Sequence, residues 1–170
     1  AQGTWGGYIN SVYQCKATVM RSSINPDQCV VTDIWMHGVW RVKQNNGVTS
    51  LQIVDQSLKA FPREIEKFFP SLKAIDAANN KIKIISKDDL KVFPNLELLS
   101  FYGNQLTTLD DDLFSANPKL FYLNFGYNKI KNIGLRTFKP LKNLKFLYFL
   151  PRNNNCVNDN AFSHEQVESL

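Results

Sequence analysis

The chain has 170 residues, of which 44% are hydrophobic and 21% charged, a balance that fits one folded domain and excludes a disordered segment. No apolar run approaches the 18 or more residues of a membrane span. The opening Ala1-Gln2-Gly3-Thr4 carries no basic start or apolar block, so no secretory leader is read there, and the net charge is +5.

The first predicted elements lie in residues 1–47, which read as an N-terminal cap. Val30-Val31-Thr32-Asp33-Ile34-Trp35-Met36 alternates as a strand, Val39-Trp40-Arg41-Val42 is a second apolar stretch, and Asn45-Asn46-Gly47 is a turn signal. Trp35 and Trp40 are large enough for one of them to plug an open core end. Cys15 and Cys29 flank a turn-rich loop, and the reading pairs them. Closing such a loop stabilises by about 3 kcal/mol in the chain-entropy model, and points to an oxidising compartment.

From residue 48 the chain repeats itself. Leu72-x-x-Ile75-x-Ala77-x-x-Asn80-x-Ile82-x-x-Ile85 recurs 24 residues later as Leu96-x-x-Leu99-x-Phe101-x-x-Asn104-x-Leu106-x-x-Leu109, and again as Leu120-x-x-Leu123-x-Phe125-x-x-Asn128-x-Ile130-x-x-Ile133. A weaker copy precedes them (Val48, Leu51, Ile53, Gln56, Leu58, Phe61), and a truncated one comes after (Leu144, Leu147, Phe149). A fixed period of this length means a solenoid, in which one coil cannot bury its apolar face without a neighbour. Strands are predicted near residues 51–53, 75–77, 99–101, 123–125 and 147–149, with segments such as 86–93 too short for a long convex helix. Asn80, Asn104 and Asn128 fall in the turn after each strand, where an amide can both donate to and accept from buried backbone. They are read as a structural ladder.

Positions alternating with the buried leucines should line the opposite sheet face. Their rows read Ser50, Ala74, Leu98, Tyr122, Phe146; then Gln52, Asp76, Ser100, Asn124, Tyr148; then Val54, Ala78, Tyr102, Gly126, Leu150. Aromatics gather on the last three strands, beside Phe121 and Tyr127. Leu98, Ser100, Tyr102, Phe121, Tyr122, Asn124, Tyr127, Phe146 and Tyr148 are therefore the candidate binding residues, with Tyr102, Tyr122 and Tyr148 expected to be exposed. Residues 119–152 hold eight basic side chains and no acid, after Asp110-Asp111-Asp112. Lys129, Lys131, Arg136, Lys139, Lys142 and Lys145 form the alternative site, a basic patch. The aspartates read as a solvated acidic turn, since they lack the glycine and glutamate of a calcium loop.

Residues 152–170 are read as an incomplete second cap, with Ser163 and Gln166 marking a helix start. Cys156 has no later cysteine to pair with. The two histidines, His37 and His164, sit one in each cap, with no metal-ligand spacing, phosphate loop or nucleophile elbow. No catalytic activity, cofactor, metal or nucleic-acid partner is expected.

The repeated motif resembles the leucine-rich repeat, LxxLxLxxNxL, over residues 48–156. The layout of cysteine-bearing cap, 24-residue repeats and terminal cysteine is similar to small secreted leucine-rich-repeat proteins of insects. The resemblance implies a curved parallel sheet with a short 3-10 or loop convex side, an N-terminal disulfide cap and a short C-terminal helical cap. It also implies an extracellular module that binds a protein or peptide partner, in innate immunity or adhesion. The second reading is a structural component of a larger array, with Cys156 as a cross-link or as half of a pair completed beyond the segment.

Overall fold

The computed structural model describes residues 46–149 in full and the backbone of two earlier strands, β1 (Cys15–Arg21) and β2 (Cys29–Met36). The segments holding Val39, Trp40, Leu150, Cys156, Ser163, His37 and His164 lie outside the described residues. β1 and β2 pair antiparallel, so the strand read at residues 30–36 is present. Their register sets Cys15 opposite Met36 and Cys29 opposite Arg21. Cys15 and Arg21 are six residues apart along one strand, about 20 Å at about 3.3 Å per residue. Bridged cysteines need Cα atoms within about 7 Å. A Cys15–Cys29 bond therefore does not fit this register. The sequence suggests a loop over the whole interval, but residues 16–21 are strand, and the starts of two antiparallel strands lie at opposite ends of their hairpin.

Five three-residue strands come next: β3 (Ser50–Gln52), β4 (Ala74–Asp76), β5 (Leu98–Ser100), β7 (Tyr122–Asn124) and β9 (Phe146–Tyr148). They form one parallel sheet in chain order, each residue paired with the residue 24 further on. The strands begin one residue earlier than the motif suggests, but the ladder continues beyond them through Ile53 N–H to Asp76 C=O (2.8 Å) and its copies at Ala77, Phe101 and Phe125. The solenoid therefore advances one coil per repeat.

On the far side, α1 (Ile65–Phe68) and α2 (Lys87–Leu90) are single helical turns. The backbone N–H and hydroxyl of Ser86 both donate to the Asp89 carboxylate, fixing the entry to α2. In the next two coils the stretches in register with α2 are turns (residues 111–116 and 135–140), and just ahead of them β6 (Thr108–Leu109) and β8 (Asn132–Ile133) form a short parallel pair that the repeat motif does not predict.

The core runs between these two sides. The motif leucines and isoleucines are buried up to the third full repeat, where Ile130 is partly buried and Ile133 exposed, and Phe101 is within 6.0 Å of Phe125, which is 5.9 Å from Phe149, in a stacked column. The asparagines tie successive coils. Asn104 Oδ1 accepts from Ile82 N–H of the previous coil (3.1 Å), and its Nδ2 donates to Ala77 C=O of that coil (2.9 Å) and to Phe101 C=O of its own (3.0 Å). Asn80 and Asn128 repeat the arrangement. Asn117 adds a bridge absent from the motif. It takes the place occupied by Phe93 one coil earlier, and its Nδ2 donates to Leu90 and Phe93 C=O (both 2.9 Å). Its buried Oδ1 has no partner among the described residues.

Replacing Asn104 by alanine leaves Ile82 N–H buried and unpaired, whereas Ala77 and Phe101 C=O keep bonds from Asn80 and Asn128. The expected cost is about 2–3 kcal/mol, read as a lower midpoint of urea unfolding with an unchanged slope. A loss below about 0.5 kcal/mol would remove the amide from its bridging role.

Candidate functional site

Alternation along the strands does point the row residues away from the leucine core, but it does not expose them all. Ala74, Leu98 and Tyr122 form a second buried cluster on the opposite sheet face, with Phe121 and Tyr148 packed partly buried against it. Tyr122 is only 6% exposed, and its ring lies 5.4 Å from Tyr148 and 6.2 Å from Phe146. The expectation of an exposed Tyr122 is corrected, and Leu98 and Ser100 are buried with it. Tyr102 and Tyr148 are half-buried rather than open. Burial also raises the Tyr148 hydroxyl above the ordinary tyrosine range, with a smaller contribution from Tyr122.

The second row has a structural use. Asp76 Oδ1 accepts from Ala78 N–H (3.1 Å), Ser100 Oγ from Tyr102 N–H (3.5 Å) and Asn124 Oδ1 from Gly126 N–H (3.0 Å). Each side chain closes the turn two residues beyond itself, so Ser100 and Asn124 shape the exit from the sheet. Desolvation raises the Asp76 carboxyl above its usual range, against the opposing hydrogen bonds from Ala78 and Ser100.

One further position repeats, outside the leucine and asparagine pattern. Asp55, Asn79, Gly103 and Tyr127 stand 24 residues apart, all with left-handed backbone (φ 59°, 56°, 68° and 56°). Asp, Asn and Gly tolerate this region, whereas a bulky ring is strained there by about 1–2 kcal/mol. At Gly103 a Cβ would also meet Asn79 Oδ1 at 2.5 Å. The Asp, Asn, Gly series is the signal in the sequence, and Tyr127 is its exception. Tyr127 is 41% exposed, and its ring sits 5.0 Å from Tyr102. With Phe146, 44% exposed, it forms the accessible part of the aromatic set.

The alternative basic site divides. Lys129 and Lys131 come after a strand, their N–H groups bonding to Leu106 and Thr107 C=O. Lys139, Lys142 and Lys145 belong to the stretch leading into β9, where Lys145 N–H bonds to Phe121 C=O. Arg136 turns to Asp111, with Nε and Nη2 at 3.2 and 3.1 Å from Oδ2, and its backbone N–H donates to Oδ1 (3.1 Å). These bonds hold the Asp111 carboxyl below its usual range. Gly134 permits the approach, since a Cβ there would lie 2.2 Å from Asp111 Oδ1. Asp112 pairs with Lys87 at 3.5 Å, so two of the three aspartates are engaged. Among the described residues no group of three His, Cys, Asp or Glu side chains could hold a metal ion. Nor is any described helix long and apolar enough to cross a membrane.

Residues 94–154 match the leucine rich repeat family model. No curated protein matches the chain in sequence. Among solved structures, a chain of the TLR13–ssRNA13 complex is 23% identical with a TM-score of 0.52, covering 62% of this chain. This chain spans only 18% of the length of that one. A chain of the Drosophila melanogaster SNF/U2A' complex is 14% identical with a TM-score of 0.50, over 90% of this chain and 84% of that one. These likenesses are of fold, and the fold is a leucine-rich-repeat solenoid.

Two outcomes separate core from surface on this face. Tyr122→Ala should cost about 3 kcal/mol, whereas Phe146→Ala should stay within about 1 kcal/mol, both by chemical denaturation. A neutral Tyr122→Ala would return that ring to the surface. Asp76→Asn keeps the acceptor for Ala78 and removes the desolvated charge. Because the folded-state pKa is raised, ionised Asp76 opposes folding at neutral pH, and that penalty fades as pH falls through the raised value. The variant should therefore be the more stable protein at neutral pH, with the advantage shrinking on acidification. A pH-independent difference would contradict this assignment.

Proposed function

We propose that this solenoid is a secreted interaction module that docks a protein or peptide partner on the aromatic lip of its last coils, in innate immunity or adhesion. The observation that carries the reading is Tyr127. A bulky ring held in left-handed backbone costs stability at a position where the other coils place Asp, Asn or Gly. Backbone strain of this kind clusters where a side chain must be presented. Tyr127 stands exposed and backed by Tyr102, with Phe146 and the half-buried Tyr148 on the last described strand. Rigid, partly supported rings are favoured interface anchors because they offer area at low entropic cost. One solved relative in fold is held in a protein complex and another in a complex with single-stranded RNA. The aromatic lip favours the protein partner. Placement outside the cell rests on the resemblance to secreted repeat proteins.

The test separates strain from binding in one substitution. Tyr127→Asn should hold or raise the thermal midpoint, by relief of up to about 1 kcal/mol. The same variant should weaken capture of peptides selected from a random display library on the intact chain. A lost anchor of about 2 kcal/mol corresponds to roughly thirtyfold in Kd. Peptides that bind the folded variant as well as the parent would move the site off this lip.

A further inference from the structure

A second surface, bordering the aromatic lip at Tyr127, lies on the flank that each coil enters on leaving the sheet. In residues 80–83 buried and exposed side chains alternate: Ile82 is inside, Lys81 and Lys83 are outside, and Ile84 after them is exposed as well. Two coils on, Lys129 and Lys131 repeat the pattern around Ile130, and Lys59 stands one coil before Lys83. All five lysines are exposed. The same backbone bond carries each coil onto the last: Lys81 N–H to Leu58 C=O (2.7 Å), Gln105 N–H to Ile82 C=O (2.9 Å), Lys129 N–H to Leu106 C=O (2.9 Å). The lysines of positions 81 and 129, and those of 59, 83 and 131, therefore fall in two straight files along the solenoid.

The five lysines of this flank, like Lys119, Lys139, Lys142 and Lys145 on the stretches leading into the strands, carry no ion pair among the described residues, so what sets the flank apart is its alignment in files. The stretches 56–62, 80–86, 104–110 and 128–134 contain five lysines and one acid, Asp110, which lies in the coil that carries none of the lysines. The ion pairs among the described residues use Arg63, Lys67, Lys73, Lys87, Lys91 and Arg136, and none of the five. Residues two apart on extended backbone are about 7 Å apart, and adjacent coils about 5 Å, so the backbone anchors these lysines in a grid with neighbours on the order of 5–10 Å. Like charges this close oppose folding slightly, and none of the five lysines is relieved by an ion pair among the described residues. Between the charged coils, Gln105, Thr107 and Thr108 offer an amide and two hydroxyls.

We propose that this lysine rail binds a linear sulfated polysaccharide lying along the solenoid axis. Closely spaced point charges fit sulfate groups at sugar-ring intervals, and the neutral coil between them offers hydrogen bonds to sugar hydroxyls. A single-stranded nucleic acid needs rings on which its bases stack. Phe61 is buried in the core, and the exposed ring bordering these lysines is Tyr127, at one end of the files and backed by Tyr102, so no row of rings runs beside the lysines on which successive bases could stack. The flank also presents no guanidinium fork for phosphate.

Heparin titrated calorimetrically into the intact chain tests the assignment. The affinity should fall by about a hundredfold between about 50 and 200 mM salt, as expected when some four to five cationic contacts release counterions. The variant K81Q/K83Q/K129Q/K131Q should bind at least tenfold more weakly at about 0.15 M salt, with its thermal midpoint held or raised. K119Q/K139Q/K142Q/K145Q removes the same charge from the stretches leading into the strands, and should lose no more than about threefold. Thr107→Lys fills the gap in one file and should tighten binding. Equal losses from the two quadruple variants, no response to Thr107→Lys, no heparin binding, or tighter binding of a homopolymer single-stranded RNA of matched charge would each overturn the proposal.

Discussion

A parallel strand three residues long has no stability of its own, and everything in this molecule depends on how each coil completes the backbone of the one before it. The sheet bonds do this on one side and the asparagine amides at the corner. Asn80, Asn104 and Asn128 each accept from the preceding coil and donate both backward and to their own coil. A buried amide in this place removes the cost of turning the chain inside the structure, where water cannot satisfy it. The aromatic column then fills the space that the turns define. Side chains facing outward are released from structural duty only after this arrangement is satisfied.

That release is uneven, which is why the surface carries information. On the sheet face opposite the core, the polar second-row residues are spent closing turns, and the first row builds its own small apolar cluster. The accessible remainder is narrow: Tyr127 and Phe146, supported by Tyr102 and Tyr148. On the flank beyond, the lysines stand exposed and free of neighbouring acids in their own stretches. The two surfaces differ in physics, one strained and aromatic, the other charged and dependent on salt.

The fold was legible because its determinant is a period, and a period survives in a string of letters. The leucine spacing located the five strands to within one residue and the asparagines marked the corners. The site was less legible for specific reasons. Alternation gives a side chain's direction but not what covers it, so Tyr122 is expected in solvent and is buried. Reading charges along the chain groups Lys129 with Lys145, which the coil separates, and overlooks Lys81 and Lys83, which the coil aligns with Lys129 and Lys131. The left-handed position is written plainly as Asp, Asn and Gly at one register, but only once the letters are stacked by coil does Tyr127 stand out. Asn117 interrupts an otherwise apolar column, and its reason, two carbonyls of the preceding coil, exists only in three dimensions. The cysteines mislead because sequence separation says nothing about which ends of a hairpin meet.

Because the sheet bonds and the asparagine bonds between coils recur at 24 residues, an additional coil inserted in register would find those partners already waiting. Copy number is thus a free variable for this architecture, and gene-level duplication of one coil changes length without redesigning the interior. The outer surfaces would respond differently to such growth. A copy of the second coil would lengthen the lysine files and multiply avidity for a polymer, whereas a copy of the coil that holds Tyr127 would add a second strained turn and a second anchor. Selection could therefore tune valency on one flank and specificity on the other by choosing which coil to duplicate.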